Sequence, residues 1–407
     1  MSTTRTKDDR LAARIAAIQK ALEDARLDAW LFCGFRSIDP ITSRVLFVET
    51  VPHITRRWFY LIPAHGTPRK LRHRIEPASM SWWPGKETVY LSWRELEAGL
   101  KTLASGCKKI AMQYSPGNAV PTVSIVDAGT VEMIRASTGA EIVSSGDLVQ
   151  LFEAKLTPEQ IASHDAAAKE LYRIVAEAYD EIRKKLSKPK GVTSEYEVQQ
   201  FILKRFADAG LVTDSAPIVG ANENSGDPHY EPTKAKHAPI RKGDFVLIDL
   251  WAKKAPPESV MADITWVGHA DSAVPEKIRK VFDVVRSGRD AAIDFVKKAA
   301  AGKKTIHGAD VDDACRDVIR KAGFGDNFIH RTGHSIGRET HGNGANIDNL
   351  ETRDDRTIVA GTCFSIEPGV YLPEFGVRSE IDMLIDLDGK PRVTGDAPQV
   401  EVLRILG

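Results

Sequence analysis

Asp249 sits inside the apolar run FVLIDLW and Asp263 inside VMADITW. A carboxylate in such a strand must be paired, neutralised or metal-bound to offset its desolvation. Glu367 in FSIEPGVY and Glu380 in GVRSEIDMLI repeat the pattern, each near a glycine that marks a bulge or turn. His334 lies in HRTGHSIGRETHG between Gly333 and Gly337, with His341 further on, so backbone can approach closely around its imidazole.

Taken singly, each acid has a plainer reading as a strand-end residue or a satisfied hydrogen-bonder. Taken together, four carboxylates and one imidazole form a hard, oxygen-rich set suited to two adjacent divalent cations such as manganese, cobalt or zinc. Two such ions about 3.5–4 Å apart hold a hydroxide and polarise a carbonyl at once, which is what amide hydrolysis needs.

The elements that must position these residues are mostly strands. SAPIVG, DFVLIDLW, VMADITWVG, TCFSIEPGVYL, GVRSEIDMLIDL and QVEVLRIL read as strands, with two helical patterns between Glu276 and Gly323. This is an α+β domain with a curved sheet. It follows a connector, LFEAKLTPEQI, in which Thr157 is the N-cap of a long helix and Pro158 its first residue. That helix ends in the basic run RKKLSKPKG, favoured there by the helix dipole, and Ser194 with Glu197 makes a capping box for the next helix. The expected domains are therefore 1–151 and 152–407.

The first of them reads as a small α/β domain. Leu11, Ile15, Ile18, Leu22 and Leu27 fall at the spacing of an amphipathic helix. The strand AWLFCGF and the runs RVLFVE, RWFYLIP and KIAMQY then alternate with helical stretches such as WRELEAGLKTLAS. Trp82 and Trp83 before Pro84-Gly85 read as packing.

Bulk composition excludes some partners. Lysine plus arginine equals aspartate plus glutamate at 56 each in 407 residues, so no global field gathers nucleic acid or an anionic membrane. Cys33, Cys107, Cys315 and Cys363 form neither a CxxC pair nor a dense disulfide pattern, which suits a reducing cytoplasm. The opening MSTTRTKDDRLAARIAAIQ lacks the apolar core of a signal peptide, and no segment supplies the roughly 18 apolar residues of a spanning helix. No repeat or low-complexity tract is visible.

The order Asp, Asp, His, Glu, Glu within IDLWAKKAPPESVMADIT, GHSIG, SIEPGVY and GVRSEID resembles the metal-dependent peptidase family that contains aminopeptidase P, prolidase and methionine aminopeptidase. The resemblance runs from about Phe152 onward. The preceding α/β domain is similar in layout to that of the creatinase, prolidase and aminopeptidase P branch. The resemblance implies a pita-bread catalytic domain with a curved antiparallel sheet and two metal ions, manganese foremost. Asp249 would chelate one ion, His334 and Glu367 the other, and Asp263 and Glu380 would bridge them. It further implies that His229, in GANENSGDPHY, and His341 face the substrate carbonyl, that Arg378 orients Glu380, and that Glu367 takes the proton of the attacking hydroxide. The expected substrates are short proline-containing peptides cut before proline, and the expected assembly is a homodimer. One departure stands out: Asp249 and Asp263 are 14 positions apart, more than the family usually has, and the inserted APPES lengthens a hairpin at the site's edge.

An Xaa-Pro dipeptidase is the leading expectation, with a basic group, Arg338 or Arg378, poised for the dipeptide carboxylate. The alternative is an aminopeptidase P acting on longer Xaa-Pro peptides. Creatinase-like chemistry without metals is disfavoured by the five ligand-type residues. A non-catalytic peptide-binding pseudoenzyme is disfavoured by the same set.

Overall fold

The structure, a computed structural model, describes residues 7–48 and 53–407. It divides into two compact units, Met1–Glu153 and Ala154–Gly407.

The first unit runs α1 (Lys7–Asp24), β1 (Ala29–Phe35), α2 (Pro40–Val45), β2 (Arg57–Pro63), β3 (Arg69–His73), β4 (Lys86–Tyr90), α3 (Trp93–Leu103), β5 (Lys109–Met112), α4 (Ala128–Thr138), β6 (Glu141–Ser144) and α5 (Gly146–Glu153). Its strands form one mixed sheet in the order β4-β3-β2-β1-β5-β6. Alternate residues of β1 serve opposite cores: Trp30 and Phe32 pack with α1 and α2, and Leu31 and Cys33 pack with α3 and α4. Apolar burial on both faces is why AWLFCGF is an unbroken apolar run.

The run RVLFVE, expected as a strand, is not one over its described residues. Arg44 and Val45 close α2, because Asp39 accepts the Thr42 N–H and Pro40 occupies the first turn. These caps start a helix that outweighs the strand preference of the sequence that follows, while Glu49 lies outside the described residues. Trp83 is buried and stacked on Tyr60 at 4.8 Å, a packing role.

The second unit runs α6 (Pro158–Leu186), β7 (Thr193–Ser194), α7 (Glu195–Asp208), β8 (Leu211–Val212), β9 (Ile218–Ala221), β10 (Pro239–Ile240), β11 (Phe245–Lys254), β12 (Ala262–His269), α8 (Glu276–Ala301), α9 (Gly308–Lys321), β13 (Ser335–Ile336), β14 (Cys363–Ile366), β15 (Gly369–Tyr371), β16 (Gly376–Arg378), β17 (Ile381–Ile385), β18 (Pro391–Val393) and β19 (Leu403–Arg404). Thr157 caps α6 in a reciprocal box with Gln160. Ser194 accepts the Glu197 N–H at the start of α7, but the Glu197 carboxylate takes the Thr193 hydroxyl and the Lys185 ammonium. The stretch QVEVLRIL pairs as a strand only at Leu403–Arg404.

Two antiparallel pieces of sheet carry the site. The β11–β12 hairpin aligns Asp249 with Thr265 and Trp251 with Asp263, so period-2 alternation sets these four side chains on one face. The opposite face, Val246, Ile248, Leu250, Ala262 and Ile264, packs on the α6 stripe Leu171, Ile174, Val175, Ala178 and Ile182. Sheet β13-β14-β17-β18 and the β15–β16 hairpin bring Phe364, Ile366, Val377 and Ile381 against α8 and α9. Each such fully buried aliphatic or aromatic side chain contributes about 1.5–3 kcal/mol, and that burial holds the acids in apolar surroundings.

Candidate metal centre

Asp249, Asp263, His334 and Glu380 are buried, and Glu367 is half-buried. All five line a cavity of about 760 Å³, together with Arg378, His229 and His341. Ligand atoms of Asp263, His334 and Glu380 lie within 4.8 Å of one another, and His334 Nε2 is 3.4 Å from Glu367 Oε1. Asp249 stands outside that tight group of three, one cross-strand pair along the hairpin from Asp263.

The backbone around His334 is pinned from several sides. Its N–H donates to Ser365 Oγ and its carbonyl accepts the Ser365 N–H, both at 2.9 Å. Gly333 exchanges two hydrogen bonds with Ile347. A Cβ on Gly333 would fall 2.0 Å from the Ser365 carbonyl oxygen, so only glycine allows this approach. Ser365 Oγ also donates to Glu367 Oε1 at 3.2 Å, tying two site residues to one strand.

Arg378 departs from the expectation that it orients Glu380. Its Nη2 donates to Asp249 Oδ2, its Nε to Thr265 Oγ1 and its Nη1 to the Tyr371 hydroxyl. Thr265 in turn donates to Glu380 Oε2 at 2.7 Å. The guanidinium reaches Asp249 because β16 crosses beside β11 and β12, and Glu380 is served through the threonine.

Three residues of this constellation carry weaker sequence signals. His330, four positions before His334, lines the cavity; its Nδ1 donates to the Arg331 carbonyl and its Nε2 accepts from the Tyr371 hydroxyl, as the donor types at those distances require. Burial and the nearby Arg378 push it down to about 3, so its imidazole is neutral. Tyr371 reads as core in the run GVYL. Asp382 is buried beneath the site, where Oδ2 accepts the Asp263 N–H at 2.9 Å. The IDMLI run around Asp382 held a signal of the same kind as those of the other acids.

The electrostatics are those of a site built for cations. Burial first, then Glu380 and Asp249, hold the Asp263 carboxyl well above the usual range. Burial, then Glu367 and Asp249, do the same to Glu380, and burial pushes Glu367 up to about 7. Burial, then His341 and Arg331, hold His334 well below its ordinary value and thus neutral, the form that ligates metal. Asp249 Oδ1 and Asp263 Oδ1 are buried without a hydrogen-bond partner. Buried orphan carboxylate oxygens beside a neutral imidazole fit divalent cations, which would compensate the acids.

His229 and His341 sit exposed at the rim. The His341 ring meets His334 edge-on, with centroids 4.4 Å apart.

A curved antiparallel sheet that carries a buried carboxylate and imidazole cluster in an open cavity defines a metal-dependent hydrolase. The pattern of Metallopeptidase family M24 matches residues 166–386, and the chain belongs to that family. A putative dipeptidase of Bacillus subtilis is 30% identical over 278 residues, 68% of this chain and 70% of that protein. An Xaa-Pro dipeptidase of Lactobacillus helveticus is 29% identical over 276 residues, 67% of this chain and 68% of that protein. In structure, dipeptidase PepE from Mycobacterium ulcerans superposes with a TM-score of 0.68 at 20% identity, covering 98% of this chain and 99% of that one. Prolidase from Thermococcus sibiricus gives 0.60 at 21% identity over 97% and 99%. The fold is the pita-bread arrangement preceded by an α/β unit. Among the described residues no helix is long and apolar enough to cross a membrane.

Proposed function

We propose that the protein hydrolyses the peptide bond before proline in Xaa-Pro dipeptides. The observation that carries this reading is the cluster of Asp263, His334 and Glu380, with Asp249 and Glu367 beside it, on a cavity sized for a short peptide. Relatives named Xaa-Pro dipeptidase, from Lactobacillus helveticus and Lactobacillus delbrueckii, support the substrate class.

In this reading Asp249 holds one cation, His334 and Glu367 the other, and Asp263 and Glu380 both. The central place of Asp263 and Glu380 in the tight group supports their bridging role. When bound, two divalent cations supply an activated water and a polarised carbonyl at neutral pH. Glu367 takes the proton of the attacking water and passes it to the proline nitrogen as the C–N bond breaks, so proline leaves with its amine protonated. His229 and His341 donate hydrogen bonds to the carbonyl oxygen as it gains charge. Arg378 holds Asp249 in position throughout.

The donor set of four carboxylates and one imidazole favours manganese, with cobalt or zinc as substitutes. The four cysteines are unpaired, which suits the reducing cytoplasm we assign. We retain the homodimer implied by the family resemblance, which sedimentation reads directly.

The test is release of proline from Xaa-Pro dipeptides by manganese-loaded protein, beside the same protein held in chelator. Metal-dependent release supports the reading; no release in either state overturns it.

A further inference from the structure

Arginines 331, 338 and 378 all lie near the cavity in sequence, yet the structure uses them differently. Arg338 is ion-paired to Glu258 at 3.1 Å and is absent from the cavity lining. Arg378 is buried, with Nε, Nη1 and Nη2 each committed to a partner. Arg331 lines the cavity, and among the described residues its guanidinium meets neither a carboxylate nor a hydrogen-bond acceptor.

Only the backbone of Arg331 is engaged. Its N–H donates to Glu351 Oε1 at 3.0 Å and its carbonyl accepts from His330. The next residue, Thr332, is tied through its N–H and hydroxyl to Asp312, and Gly333 is bridged to Ile347. The side chain therefore leaves a rigid stem three residues from His334. Its charge is felt at His334, His341 and Glu367, which places it within reach of the scissile bond.

The other charges of the cavity are occupied. The Asp214 carboxylate accepts from Trp251 Nε1 and Thr340 Oγ1, and Glu351 accepts from Arg331 N–H. Apolar surface for a pyrrolidine ring lies close by, in Pro228, Trp251 and Ile329, the last 57% exposed. A half-buried guanidinium without a partner, fixed at its base beside an apolar patch, is a receptor for one planar anion.

We propose that Arg331 is the anchor for the free α-carboxylate of the dipeptide, and that this ion pair sets substrate length. The inference rests on the proline-dipeptidase reading above. A longer peptide or a C-terminal amide presents no carboxylate at that position and forfeits the pair.

The experiment compares manganese-loaded wild type, Arg331→Gln, Arg331→Lys and Arg338→Gln on an Xaa-Pro dipeptide and on the same dipeptide as its C-terminal amide. Loss of a charge-assisted pair should raise the dipeptide KM of Arg331→Gln by about tenfold to a hundredfold with a smaller change in kcat. The preference for acid over amide should shrink by the same factor, Arg331→Lys should recover part of it, and Arg338→Gln should keep the wild-type preference. A dipeptide KM unchanged in Arg331→Gln, or equal losses on acid and amide, overturns the anchor while leaving the proline reading intact. Wild-type protein that cleaves neither substrate overturns both.

Discussion

The Arg378 guanidinium donates to Asp249 Oδ2 at 2.5 Å across 129 positions of sequence. That bond holds one oxygen of a buried carboxylate and leaves Oδ1 without a partner. An arginine fork does this because its donors are coplanar: one reaches Asp249 while the others are fixed by Thr265 and Tyr371. Asp249 is thus presented ionised and aimed, with a free oxygen for a cation.

Replacing Arg378 by lysine keeps the charge and loses the fork. Metal affinity or turnover should fall about 10- to 100-fold, the usual effect of removing a group that orients a ligand. Metal titration of the chelated variant followed by kcat measurement checks this. Wild-type values for both would remove Arg378 from any positioning role.

His341→Ala should separate substrate contact from metal binding. Its ring packs edge-on against His334, but it is outside the tight ligand group. Loss of a donor to a developing oxyanion typically lowers kcat about 10²- to 10³-fold, here with bound metal per chain unaltered. A variant that fails to load metal would make His341 part of the metal centre instead.

Gly333→Ala tests the close approach beneath His334. The added Cβ would meet the Ser365 carbonyl at 2.0 Å, and the forced shift should cost about 1–3 kcal/mol of stability. Denaturant melts read that cost, and metal affinity should fall with it, because Ser365 positions both His334 and Glu367. Stability equal to wild type would show that the strand pair yields freely.

A pH dependence follows from Glu367, raised by burial from 4.5 to about 7. A raised carboxyl holds its proton more tightly in the folded than in the unfolded chain. Its contribution to stability is therefore full below about pH 4.5 and is lost as the pH rises through about 7. The buried neutral histidines His164, His330 and His334 act in the opposite sense, so the comparison is with Glu367→Gln, not with wild type alone. In chelator, the Tm of wild type should fall relative to that variant across pH 4.5–7, by a stability difference of order 3 kcal/mol. Manganese should restore wild type at the upper end, because the cation binds the ionised acids. A difference that stays flat across the window would contradict the raised carboxyl.

The strands of the site were readable because their signal is local. Asp249 interrupts FVLIDLW and Asp263 interrupts VMADITW, and an acid within an apolar strand announces a burial problem that something must solve. Asp382 sits in a run of the same kind, yet its role as acceptor of the Asp263 N–H depends on which strand lies opposite. His330 was obscured for another reason: its work is done through the Tyr371 hydroxyl, 41 positions away.

What the sequence determined by itself is which residues are acidic, which are histidine, and that they fall in apolar runs whose order resembles a peptidase family. Cross-strand register and packing between distant segments belong to the tertiary structure alone. It decided that Arg378 serves Asp249, that Arg338 is taken by Glu258, and that Arg331 is left facing the cavity. The physical reason is that a long, flexible guanidinium has several partners within reach of its stem, and only the folded chain settles which are close enough to bind.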